Sequence, residues 1–210
     1  MAILKRTGSV LFIGAATAGV IGLSAAPAVA ATWTVKPGGP VTATAGKTTL
    51  TDTNSHVALS CVSSKGAATL KSGSGLSGTG IGSITSLAFN SCTGPLGLMF
   101  TVTTSHFPWS LNAVSFTSTS GVTTGTITGI HATLTGPGCS AVVDGTSATA
   151  DNGMVSGTYT NSTGALKSLT TGGNLHIYNV SGCAGLIRSG DATTFSGTYA
   201  VSPKQTITSP

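Results

Sequence analysis

Short runs in which apolar and polar residues alternate one by one recur along most of this chain. In GIHATLT, Ile130, Ala132 and Leu134 fall on one side, with His131, Thr133 and Thr135 on the other. HVALSC sets Val57, Leu59 and Cys61 against His56, Ala58 and Ser60, and TFSGTYAV sets Phe195, Gly197, Tyr199 and Val201 against Thr194, Ser196, Thr198 and Ala200. Side chains two apart share a face only in extended backbone, so this period demands half-buried β-strands. No segment sustains the apolar spacing of three and four that an amphipathic helix requires. Between the runs stand KPGGP (36–40), KSGSGLSGTG (71–80), TGPG (135–138), DNG (151–153) and TTGGN (170–174). These are rich in residues that accept positive φ and so make turns. Strands about every ten residues, joined by such turns, predict an all-β, antiparallel β-sandwich or β-barrel.

The N-terminus reads differently. Lys5 and Arg6 precede the apolar run LFIGAATAGVIGLSAA, and Ala28-Val29-Ala30 follows. A cationic start, a short apolar middle and a small-residue end form a secretory signal peptide over residues 1–30, leaving 31–210 as one all-β domain. No transmembrane segment is expected in that mature part, whose apolar stretches are too short to span a bilayer.

Composition supports export. Charged residues make up only 6% of the chain, Glu is absent, and roughly a third of residues 31–210 are Ser or Thr. Mean hydropathy is nonetheless positive, which is unlike a disordered chain of low hydrophobicity and high charge. The lysines and Arg188 stand singly, without clusters or interleaved aromatics, so a nucleic-acid surface is not expected.

The chain also says nearly the same thing twice. SHVALSC (55–61) resembles IHATLTGPGC (130–139), LSGTG (76–80) resembles VSGTY (155–159), and SLAFNSCTGPLGL (86–98) resembles LHIYNVSGCAGLI (175–187). The landmarks keep the same order, which suggests an internal pseudo-repeat with halves at about 47–111 and 122–201. Four cysteines in an exported chain read as disulfides, and no Cys-x-x-Cys pair points to metal or redox chemistry. Sequence alone leaves three connectivities open; a duplication selects the one in which each half closes its own bridge, Cys61–Cys92 and Cys139–Cys183.

Chemistry is sparse. The chain has no nucleophile elbow, no P-loop, no His-Glu-x-x-His and no dinucleotide fingerprint. Asp52, Asp144, Asp151 and Asp191 are isolated, and their expected role is to bond loop backbone. His56 and His131 occupy matching places in the two halves and are expected to be exposed strand histidines. No cofactor, metal site or catalytic residue is expected. The one aromatic concentration is SHFPWSL (105–111), where His106, Phe107 and Trp109 are candidates for a stacking platform that binds a glycan or a small apolar ligand. The same cluster could instead plug an open end of the fold.

The leader's Ala-Val-Ala, the run GTYTNSTGAL (157–166) and the tail Val180–Pro210 resemble a widespread group of small exported proteins of actinobacteria. That group has no established activity, so the resemblance implies export and transfers no role to any position. The expected function is that of a secreted or cell-envelope structural or binding protein without catalysis. Its alternatives are a carrier of a small apolar or glycan ligand (a cell-wall glycan among them), an outer-envelope β-barrel pore, and a secreted hydrolase.

Overall fold

A computed structural model describes residues 32–210; the signal peptide expected over 1–30 lies outside the described residues. The front part of the chain forms β1 (Thr32–Lys36), β2 (Gly39–Ala45), β3 (Thr48–Asp52), β4 (Ala58–Leu70), β5 (Gly73–Ser77), β6 (Gly82–Thr93), β7 (Met99–Ser105) and β8 (Trp109–Thr117). The rear part forms β9 (Val122–Gly136), β10 (Cys139–Asp144), β11 (Gly153–Thr160), β12 (Ala165–Ser168), β13 (His176–Gly182), β14 (Thr193–Ser196), β15 (Thr198–Ser202) and β16 (Thr206–Thr208). Every pairing is antiparallel. The all-β, sandwich-like expectation therefore holds.

The alternation is obeyed because each strand has one face turned to a core. Ile130, Ala132 and Leu134 are buried, as are Cys61, Gly197 and Tyr199. Opposite them, Thr198 and Ala200 are exposed. Hydrophobic burial of one face and hydration of the other by Thr and Ser is what this pleat permits.

The sandwich has few free edges. β4 pairs β2, which leads through β15, β12, β11, β9, β8 and β6 back to β4, so these eight strands close a hydrogen-bonded ring. β4, β6 and β9 are long enough to continue beyond it. Their far ends pair with β3, β7 and β10, and β13 and β14 complete this second circuit through the single bridge His176↔Ala192. A separate three-stranded sheet, β16-β1-β5, adds Trp33, Val35 and Ile207 to the first circuit's core. Closing a sheet removes the unpaired strand edges that invite aggregation.

One strand stands where the turn-rich run KSGSGLSGTG predicts only loop. β5 pairs with β1 along its backbone, which needs no side-chain signature. Glycine is required just beyond it, since a Cβ at Gly78 would run into the Trp33 indole and the Ala113 carbonyl.

Two apolar clusters fill the circuits. The first joins Trp33, Val35, Val41 and Leu70 to Tyr159 and Ile207; the second joins Trp109 to Ile130, Leu134, Val143, Val155 and Leu175. Each draws on both halves of the chain, so the halves share their cores instead of folding side by side.

Cys61 bonds Cys92 and Cys139 bonds Cys183, as the repeat predicts. The first links the neighbouring strands β4 and β6, and the second links β10 to the turn after β13. With separations of 31 and 44 residues, the loops they close are each worth about 4 kcal/mol in the chain-entropy description. The runs SLAFNSCTGPLGL and LHIYNVSGCAGLI end alike, in 3-10 turns at Pro95–Gly97 and Cys183–Gly185.

Candidate functional site

The circuits are not filled to the centre. Between the two clusters lies a cavity of ≈ 220 Å³. Its wall takes Val41 and Ala68 from the front of the chain and Leu166 and Val201 from the rear, with Leu87 and Ile127 nearer the second cluster. No His, Asp or free thiol lines it. Its ionisable members are Lys167, Tyr159 and Tyr199. Tyr159 donates its hydroxyl hydrogen to the Gln205 carbonyl and accepts from the Gln205 amide, while Tyr199 accepts from Ser64 Oγ. Burial pushes both phenols above their ordinary value, against the opposing bonds to Gln205 and Ser64. They are satisfied structural groups.

A second feature lies where three connections converge. His106 follows β7, His131 stands on β9, and Asp144 and Asp151 bracket the segment between β10 and β11. Asp144 is fully buried. Its Oδ1 accepts from the amides of Gly145, Asn152 and Gly153, and its Oδ2 accepts from the Asp151 amide at 2.9 Å. His131 Nδ1 lies 3.0 Å from the same Oδ2 and 3.2 Å from Asp151 Oδ1. His106 Nδ1 lies 2.5 Å from that Asp151 oxygen. The two imidazoles are stacked, 4.2 Å between ring centres.

Burial works to raise the Asp144 carboxyl, but the Gly145 amide, the His131 ring and the amides of Asp151 and Asn152 together hold it below its ordinary value. Asp144 is therefore ionised at neutral pH and can only accept hydrogen bonds. It follows that His131 Nδ1 carries the hydrogen of this bond, and Nε2 is the nitrogen left outside it.

These placements correct the expectation for His131, which is buried despite lying on the polar face of its strand. The segment over 145–152 folds across that face, and Asp144 just before it and Asp151 within it supply the two carboxylates that justify the burial. His56 is exposed as expected, but sits in the turn before β4 and not on a strand. The two do not converge, for His131 meets His106 instead. No hydroxyl is hydrogen-bonded to His106 or His131 among the described residues, so no Ser-His-Asp arrangement is assembled there.

The aromatic run is divided by the structure. Trp109 begins β8 with its ring in the second core, 3% exposed, lining the cavity and donating Nε1–H to the Ser105 carbonyl. Phe107 is half-buried and stacks on Trp109 with ring centres 4.6 Å apart. His106 alone of the three is exposed. Trp109 is thus not an open stacking surface, because its strand's alternation turns it inward with Leu111 and Ala113.

Sequence reasoning treated the carboxylates and histidines one at a time and missed their convergence. The usable signal was the pair VVDG and DNG, each with a strand-adjacent Asp, flanking a short segment. No helix among the described residues is long and apolar enough to cross a membrane. No protein-family model, curated protein or solved structure matches this chain.

Proposed function

We propose that this is an exported, non-catalytic binding protein whose hollow interior holds a small apolar molecule. The ≈ 220 Å³ cavity is the observation that carries this reading. Protein interiors normally close around voids much smaller than this one. An apolar cavity of about 150 Å³ stays dry and takes up benzene, and drug-sized ligands use pockets above about 300 Å³. A space between these limits suits a compact, hydrocarbon-rich molecule on the order of ten heavy atoms.

The alternatives fit the geometry less well. A glycan needs polar partners and an exposed ring, whereas the wall is apolar and Trp109 is buried. A membrane pore carries its apolar side chains outside and polar ones within, and here the order is reversed. A hydrolase working in the cavity would need a base paired with its nucleophile, and no His or carboxylate stands beside the lining hydroxyls. Export is supported by the leader-like N-terminus and by two cystines, which persist in oxidising compartments.

Native mass spectrometry of protein recovered from the producer's medium should show a retained small molecule. Purified, ligand-free protein should show a rise in its unfolding midpoint with toluene. Ala68→Leu, which puts methyl groups into the cavity, should stabilise the empty protein by about 1 kcal/mol and abolish the toluene effect. Absence of both a retained mass and a toluene effect would overturn the reading.

A further inference from the structure

We propose that His106, His131 and Asp151 form a binding site for a divalent first-row transition ion of the zinc class. One donor atom from each lies within 4.8 Å of the others. A tetrahedral ion with bonds of about 2.0–2.1 Å holds its donors about 3.3 Å apart, so His106 must turn out of its stack on His131, and Asp151 must leave the Nδ1 side of that ring, to bring their donors beside His131 Nε2. The residues that must move are free to do so, since the side chains of His106 and Asp151 are 49% and 45% exposed.

The other half of the site is rigid. His131 stands on β9, and its Nδ1–H is held by the buried, ionised Asp144. A carboxylate on the second nitrogen of a metal-binding histidine fixes its tautomer and raises the basicity of the ligating nitrogen. Asp144 is in turn fixed by four backbone amides, from Gly145, Asp151, Asn152 and Gly153. Ligand, orienting carboxylate and supporting amides thus form a continuous chain from the core to the surface.

The donor set selects the ion. Two imidazole nitrogens and one carboxylate favour zinc, and also nickel or copper, over calcium and magnesium, which take oxygen donors. Asp144 and Asp151 place two carboxylates beside the two imidazoles, surroundings that favour a cation. Three protein ligands leave one coordination position for water or for a donor from outside the chain. The site stands apart from the apolar cavity and does not depend on its occupancy.

The test uses the disulfide-intact chain, stripped with chelator and titrated with zinc chloride by calorimetry at neutral pH. Cobalt(II) absorption reports nitrogen and oxygen coordination. The expected result is one ion per chain. His106→Ala and Asp151→Asn, both on exposed connections, should fold normally and weaken zinc by about tenfold or more. Asp144→Asn should weaken it by about 10–100-fold without removing a ligand, provided circular dichroism shows the fold retained. No zinc binding by the wild-type chain, or wild-type affinity in His106→Ala, would overturn the assignment.

Discussion

Asp52 and Asp144 each end a strand and are each buried; the loop after the first returns to the adjacent β4, and the segment after the second leads to β11, which shares the neighbour β9 with β10. Asp52 Oδ1 accepts from the amides of Asn54 and Ser55, and its Oδ2 has no hydrogen-bond partner among the described residues. Asp144 uses both oxygens, on four amides and one imidazole. The loop after Asp52 covers only residues 53–57, and backbone bonds between Asp52 and both His56 and Val57 close it tightly. That leaves His56 outside, at positive φ and exposed. The segment after Asp144 covers 145–152, long enough to carry Asp151 back over His131. The same residue type makes a turn fastener in one place and the base of a candidate metal site in the other. What differs is how far the following chain travels before it returns.

The largest expected effect separates the two aspartates directly. Asp144→Ala strands four amides and the His131 N–H, and should cost about 3–5 kcal/mol in guanidinium unfolding. Asp52→Ala removes two turn bonds and should cost about 1–2 kcal/mol. Equal losses would mean that the two aspartates do the same work.

Acid titration sharpens the contrast. The Asp144 carboxyl is held below its ordinary value in the folded chain, so its contribution is fully present above the unfolded value of about 3.9 and is lost as pH falls through the folded value. The unfolding midpoint should therefore drop steeply below about pH 4, and less steeply in Asp144→Asn. Asp191, near the Asp52 turn, is shifted the same way by its bond from Asn54 and, against a small desolvation, by the Arg188 amide. It stays intact in Asp144→Asn and accounts for part of the residual slope. An unchanged slope in that variant would remove Asp144 from the acid response.

The smallest effect concerns the histidines that the repeat pairs. His56→Ala should change stability by no more than about 0.5 kcal/mol. His131→Ala removes a buried bond to a charged group and should cost about 1.5–3 kcal/mol. A comparable loss at His56 would restore the equivalence that the repeat suggests.

Much of the fold was legible because it rests on local geometry. Phe195, Gly197 and Tyr199 face one way whether or not their partners are known, since the pleat sets that over a few residues. The cystine pairing followed from the order of repeated landmarks. β5 was hidden because a Gly and Ser run can pair by backbone alone. His131 was misjudged because its face becomes interior only when residues 145–152 cross it. Trp109 sits beside a proline, and its inward turn depends on where β8 starts.

The order of residues by itself determined an antiparallel, helix-poor chain with known inward faces and two internal clasps. Those properties come from backbone period and turn chemistry, which act over a few neighbours. Tertiary structure alone decided the cavity and the meeting of His106, His131, Asp144 and Asp151. A void is the sum of side-chain volumes from strands far apart in sequence, and a cluster drawn together across 13 and 45 residues exists only once strand register is set.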